Sequence, residues 1–140
     1  MAKLIMYLLD TNIWLERLLN QEKSADVTRF LNKIPTASLM ITDFSFHSIG
    51  VILSRYNQPE TLQRFTQDMF IDNTVTLVTL EASDIARLIE IMEQFQLDFD
   101  DAYQYVAAEK YDAQIISFDS DFDKTERGRK MPLEVLNDNQ

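Results

Sequence analysis

Leu4-Ile5-Met6-Tyr7-Leu8-Leu9-Asp10-Thr11-Asn12 decides the fold. An apolar run of strand length stops at Asp10, and the helical pattern of Ile13-Trp14 and Leu18 begins directly after it. Gln114-Ile115-Ile116-Ser117 repeats the arrangement late in the chain and ends in Phe118-Asp119. In open parallel sheets the ligand crevice lies at the carboxyl ends of the strands, so both aspartates are expected to face one site. Carboxylates that close repel each other, and a divalent cation relieves the repulsion. Asp100 and Asp101, opening a late helix, enlarge the acidic set.

Between these landmarks the pattern predicts helices over 12–19 and 25–33, the second closed by Pro35, because the residue before a proline is pushed out of the helical region. A strand is expected over 38–41, followed by a helix carrying Phe44, Ile49, Ile52 and Leu53. Pro59 starts another helix with Leu62, Phe65 and Phe70, and 75–78 is β-branched and short enough for a strand. Ile85, Leu88, Ile89, Met92 and Phe95 give a helix over 81–95 one apolar face, and a further helix runs from about 99 to 110. Residues 133–136, after Pro132, read as a last edge strand. This alternation implies parallel strands joined by right-handed helical crossovers, a short parallel sheet covered on both faces in a three-layer α/β/α sandwich. No linker, repeat or low-complexity tract divides the chain, so residues 1–140 read as one domain.

A chain of 140 residues with 46% hydrophobic content can fill a single core. It has no Cys, which excludes disulfides, thiolate metal sites and a Cys nucleophile. His47 is the only histidine, which excludes His-rich metal centres and leaves carboxylate chemistry. The apolar stretch at the start is too short for a signal peptide or a membrane span, and the protein reads as cytoplasmic. A net charge of −10 argues against nucleic-acid binding through a broad basic face. It is compatible with a metal-dependent nuclease, where cations bridge acidic protein to acidic substrate. Lys124, Arg127, Arg129 and Lys130 then form a local segment suited to RNA phosphates, although the same four residues suit a solvated surface loop.

The aspartates also have structural readings. Asp10 and Asn12 stand where a helix N-cap belongs, and Asp98 suits a cap with Asp101 complementing the helix dipole. Three carboxylates at 98, 100 and 101 repel one another, however, and the helix terminus offsets only part of that cost. Asp119-Ser120-Asp121-Phe122-Asp123 opens like a calcium loop, but Lys124 replaces its glycine and Lys130 its bidentate glutamate. Asp119 is left as a strand-end ligand, with Asp121 and Asp123 as turn residues.

Taken in order, Leu8-Leu9-Asp10-Thr11-Asn12, Phe99-Asp100-Asp101-Ala102 and Ser117-Phe118-Asp119-Ser120-Asp121-Phe122 resemble the signature segments of PIN-domain ribonucleases, particularly the VapC-type toxins. The resemblance spans nearly the whole chain. It implies that Asp10, Asp101 and Asp119 hold Mg²⁺ or Mn²⁺ and carry catalysis, with Thr11 and Asn12 in support and Asp100 and Asp121 as auxiliaries. It also implies an RNA substrate, a small antitoxin partner and a homodimer.

One departure concerns a glutamate that the family places after the second strand, in a stretch like T-x-x-E-L. The matching stretch is taken as Ser45-Phe46-His47-Ser48-Ile49, with Ser48 where the glutamate is expected. His47 as a base or ligand, or Asp43 reaching through the crevice, are the candidate replacements. The alternative is a catalytically impaired PIN-like module that binds RNA or protein.

A receiver domain would carry its acidic pair after the first strand, and a haloacid-dehalogenase-type phosphatase would need an aspartate where Asn12 stands. Trp14, Leu15, Leu18 and Leu19 make the first helix apolar on more than one face, which fits either a partner chain or burial within the domain.

Overall fold

The computed structural model describes residues 4–138. Four strands, β1 (Met6–Leu9), β2 (Leu39–Thr42), β3 (Thr76–Val78) and β4 (Ala113–Ile116), form one sheet in the order β3-β2-β1-β4, with every pairing parallel. Tyr7 pairs with Leu39 on one side of β1 and with Gln114 on the other. Among the described residues the helices are α1 (Thr11–Leu18), α2 (Ser24–Lys33), α3 (Asp43–Arg55), α4 (Pro59–Thr66), α5 (Ile85–Phe95), α6 (Phe99–Lys110) and α7 (Pro132–Asp138). None is long and apolar enough to cross a membrane.

Strand periodicity assigns side chains to the two faces. Tyr7, Leu9, Leu39, Ile41 and Ile116 share one apolar cluster with Ile13, Trp14, Phe30, Ile49 and Leu53. The alternate residues Leu8, Met40, Ala113 and Ile115 join the second cluster with Leu88, Ile91, Tyr105 and Val106. Successive strand side chains point to opposite faces, so helices cover both sides, and the three-layer α/β/α arrangement follows. Trp14 is buried edge-on against Phe65, at 5.4 Å between ring centroids.

The sequence pattern and the structure differ at two elements. Residues 133–136 are not a strand but lie inside α7. Pro132 is the first residue of α7, a position that proline favours, Met131 N–H donates to Glu134 Oε1 at 3.1 Å, and Glu134 N–H donates to Met131 O at 3.0 Å, so Pro and Glu mark a helix start. The outer pairing to β4 is made instead by Lys130, which bridges Ile116 in parallel.

The second difference lies on α5. It buries Leu88 and Ile91, with Met92 and Phe95 partly covered, while Ile85 and Ile89 are 36% and 49% exposed. A stripe of five apolar residues is wider than the face that α5 turns to α6 and the sheet. The start of the expected helix over 81–95 is a 3₁₀ turn, Ala82–Asp84.

Candidate metal-binding active site

The sequence path runs from β1 outward to β2 and β3 and returns to the far side of β1 as β4. The change of direction falls between β1 and β4, where such sheets open a crevice. Asp10 N–H donates to Ile116 O at 2.9 Å, which fixes the two strand ends side by side.

Asp10 is the extended residue that caps α1, and it is 7% exposed. Its Oδ1 accepts from Thr11 N–H at 2.8 Å and from Gln104 Nε2 at 2.9 Å, and its Oδ2 accepts from Ser117 Oγ at 2.8 Å. Burial raises its pKa; the bonds from Gln104, Ser117 and Thr11 oppose the rise, and the nearby Asp119 charge adds to it. A carboxylate oxygen accepts about two bonds, so Oδ1 is filled and Oδ2 retains one direction for a further partner.

Asn12 secures the β4 exit: its Nδ2 donates to Ser117 Oγ at 3.2 Å and its Oδ1 accepts from Phe118 N–H at 3.2 Å. Ser117 Oγ also accepts from Asp119 N–H at 2.9 Å.

Asp98 caps α6 by accepting from Asp101 N–H at 2.9 Å, which leaves the Asp101 carboxylate facing the crevice. Asp119 Oδ1 accepts from Asp121 N–H at 2.9 Å. Asp10, Thr11, Asn12, Ser48, Asp100, Asp101 and Asp119 line one open cleft of about 320 Å³, together with Leu15, Phe44 and Ile52. At its rim, Asp101 and Asp119 of the lining and the exposed Asp121 each bring a carboxylate oxygen within 4.8 Å of the other two. Asp10 lies deeper, at the end of β1. The tightest acidic grouping is therefore displaced outward from the expected Asp10, Asp101 and Asp119, and includes Asp121.

Burial, then the charges of Asp119, Asp98, Asp10 and Asp121, push the Asp101 pKa to about 7. The folded state then binds more protons than the unfolded chain between an ordinary carboxylate pKa and neutrality, so this group makes stability fall as pH rises through that interval. Without added metal, the melting temperature should be higher at pH 5 than at pH 8, and Asp101→Asn should flatten the difference. Parallel thermal scans of the two proteins across that range check it, and an equally steep dependence in the variant would contradict it.

Two contributors were not visible in the sequence. Gln104, one helical turn after Asp101, is 1% exposed; its Nε2 donates to Asp10 Oδ1 and, at 2.7 Å, to Ser45 Oγ, and its Oε1 accepts from Thr42 Oγ1 at 2.7 Å. Ser45 Oγ and Thr11 Oγ1 share a hydrogen bond of 2.8 Å. Thr42 caps α3 by accepting from Ser45 N–H at 3.0 Å, so the threonine-led cap register ends at Ser45, not at Ser48. Ser45 is buried inside the network, whereas Ser48, nearly one turn later, lies on the cleft wall.

The other predicted residues lie elsewhere. His47 lines a separate cavity between α3 and α4 with Phe46, Gly50 and Leu62, because it projects about 100° away from Ser48 on the helix. Asp43 Oδ1 accepts from Tyr103 OH at 2.7 Å and from Phe44 N–H at 2.9 Å.

The four cations of the basic segment are engaged within the chain. Lys124 donates to Gln96 O at 3.0 Å, and Arg127 donates to Ala113 O at 3.1 Å and pairs with Asp112 at 3.4 Å. Arg129 holds Asp123 through Nε and Nη2 and donates to Ser117 O at 3.2 Å, and Lys130 pairs with Asp138 at 2.6 Å. None of the four lines the cleft.

Comparison with known proteins bears on this geometry. The family model described as PIN domain matches residues 7–128. Among solved structures, a toxin–antitoxin complex from Klebsiella pneumoniae aligns at 20% identity over 90% of this chain and 97% of that one, with a TM-score of 0.73. Mycobacterium tuberculosis VapC20, described as a sarcin-ricin loop cleaving toxin, aligns at 16% identity over 86% and 95%, with a TM-score of 0.72. VapBC2 from Rickettsia felis, bound to a DNA fragment from its promoter, aligns at 16% identity over 90% and 97%, with a TM-score of 0.65. No curated protein matched the sequence.

Proposed function

The chain belongs to the PIN domain family, and from that membership we propose that it is a Mg²⁺- or Mn²⁺-dependent endoribonuclease, the toxin of a type II toxin–antitoxin pair, acting as a single domain over 1–140 in the cytoplasm. The convergence of Asp10, Asp101 and Asp119 on one cleft, with Asp121 beside the last two, carries the reading. An all-oxygen donor set fits a hard divalent cation, and such a cation would offset both the burial of Asp101 and the repulsion from Asp119, Asp98, Asp10 and Asp121 that raise its pKa.

Asp101, Asp119 and Asp121 would hold the ion, with Asp10 in the adjoining cleft. When bound, a divalent cation lowers the pKa of a water and stabilises the charge that builds up on the phosphoryl oxygens. The chain's own part is to aim and hold the carboxylates. Gln104, Thr11 and Ser117 fix the Asp10 carboxylate, Asn12 and Ser117 fix the turn that carries Asp119, and the Asp98 cap sets the first turn of α6 so that Asp101 faces the cleft. Preset acceptors need no reorganisation during the reaction. With Asp43 bonded to Tyr103 and His47 in another cavity, neither is assigned the role of the missing glutamate. Toxin–antitoxin complexes among the structural neighbours support an antitoxin partner, and the homodimer is proposed by analogy with the VapC-type proteins.

Millimolar Mn²⁺ should raise the melting temperature by several degrees, since a ligand bound by the native state alone stabilises it by mass action, and the same ion should switch on cleavage of single-stranded RNA. A protein with neither response would refute the assignment. The second reading, a catalytically impaired module that binds RNA or protein, draws on the residues of α3 in and behind the cleft wall, Phe44, Ser45, Ser48 and Ile52, which bring no carboxylate. Metal binding and RNA binding without cleavage would favour it.

A further inference from the structure

We propose that Phe44, Tyr103 and Phe99 form a stacking shelf for an unpaired nucleobase of the RNA strand whose phosphate lies in the acidic cleft, an inference that rests on the ribonuclease reading above. Phe44 lines the cleft beside Asp100 and Asp101. Its ring centroid is 6.0 Å from that of Tyr103, which is 6.2 Å from that of Phe99, so Tyr103 stands between the other two rings, tilted 46° to the first and 40° to the second. Phe99 and Tyr103 are four residues apart on α6 and share a face next to the one that carries Asp100 and Asp101.

The middle ring is fixed at its far end, because Tyr103 OH donates to Asp43 Oδ1 at 2.7 Å and accepts from Leu80 N–H at 3.0 Å. Phe99 is 48% exposed, and neither it nor Phe44 belongs to the two apolar clusters of the core. Both rings pack against Tyr103 at the margin of the second cluster, and neither is enclosed by the core.

Charge favours a nucleobase as the occupant. The cleft is acidic, the chain carries a net charge of −10, and each cation between 124 and 130 is held within the chain. An RNA strand then gains little from phosphate neutralisation by these residues. Stacking on an aromatic face needs no positive charge and accepts any base. In a duplex the base faces are covered, and single strands, loops and bulges present them. The shelf thus selects unpaired RNA and tolerates many sequences.

The test uses the full-length protein in Mn²⁺ with a short phosphorothioate-linked single-stranded RNA carrying 2-aminopurine, whose emission is quenched by stacking. Phe99→Ala and Phe99→Leu should each weaken binding about tenfold, the scale of one base–aromatic stack, and reduce the quench. Phe99→Trp should restore both. Leu keeps the apolar surface and loses the π face, so it separates stacking from greasy contact. Phe44→Leu should act in the same direction, and a duplex of the same sequence should bind weakly and equally to all the variants. Melting temperatures confirm that each variant is folded.

If wild type cleaves RNA while Phe99→Ala and Phe99→Leu keep wild-type affinity and quench, the shelf is overturned and the ribonuclease reading stands. That result would also be the outcome if these rings receive a protein partner. If wild type neither binds nor cleaves RNA with Mn²⁺, the reading and the shelf fall together.

Discussion

Asp119→Asn should reduce RNA cleavage by about a thousandfold, the effect of losing several kcal/mol of charge stabilisation, with little change in melting temperature. The amide keeps the fold because its Oδ1 can still accept from Asp121 N–H, the one bond the Asp119 side chain makes among the described residues. Removing one of several mutually repelling carboxylates also relaxes the site when no ion is bound. Asp101→Asn should behave alike, since α6 uses the Asp101 backbone N–H and not its carboxylate.

Ser48→Glu should act in the opposite direction, tightening Mn²⁺ binding and raising cleavage, because it adds a carboxylate on the cleft wall. Ser45→Glu would place a larger charged group in a fully buried position already bonded to Gln104 and Thr11, and should destabilise the protein. Rates with purified protein and Mn²⁺, beside calorimetric titration of the metal, decide the matter. A wild type without cleavage, and a Ser48→Glu variant without gain, would leave the binding module as the better description.

Gln104→Leu should strongly destabilise the fold although it leaves every carboxylate in place. It conserves volume but removes two donors and one acceptor from a sealed network, leaving Asp10 Oδ1 and Ser45 Oγ each one bond short and the Thr42 hydroxyl proton without its acceptor. Unsatisfied buried groups put the loss at about 2–4 kcal/mol, a fall in melting temperature of roughly 10 °C for a domain of this size. Gln104→Glu should be worse at pH 7.5, since a second carboxylate would face Asp10, and should recover as pH falls toward 5, where protonation restores a donor. Urea denaturation at both pH values measures this. A Gln104→Leu protein as stable as wild type would show that the network contributes little.

What could be read from the sequence followed how local the determinants are. Four strands and six of the helices were legible because each apolar run is bounded by its own signal: Asp10 after β1, Pro35 after α2, Pro59 at the start of α4, Asp98 before α6. The segment after Pro132 was misread because four residues, Leu133 to Leu136, suit a strand as well as a helix, and Glu134 reaching back to Met131 is a geometric fact that composition does not carry. Gln104 and Ser45 could not be singled out, because a polar residue within a helix ordinarily faces solvent. Their roles come from partners 94 and 59 residues away. The basic segment looked free for the same reason: the groups that engage Arg129 and Lys130 are six and eight residues distant and identifiable only in the fold.

The strand order also governs when the site can exist during synthesis. Asp10 emerges near the start of the chain, yet Ser117, which bonds its second oxygen, follows 107 residues later, and β4 completes the central pairing only after α6 has been made. A ribosome adding about 5–20 residues per second therefore exposes the first aspartate for several seconds before its counterparts are translated. Such non-local parallel pairing is slow to form, since long loops must close before contacts reward them. An incomplete nascent chain thus carries Asp10 apart from its counterparts, and only a chain translated past Asp121 can assemble the full acidic set.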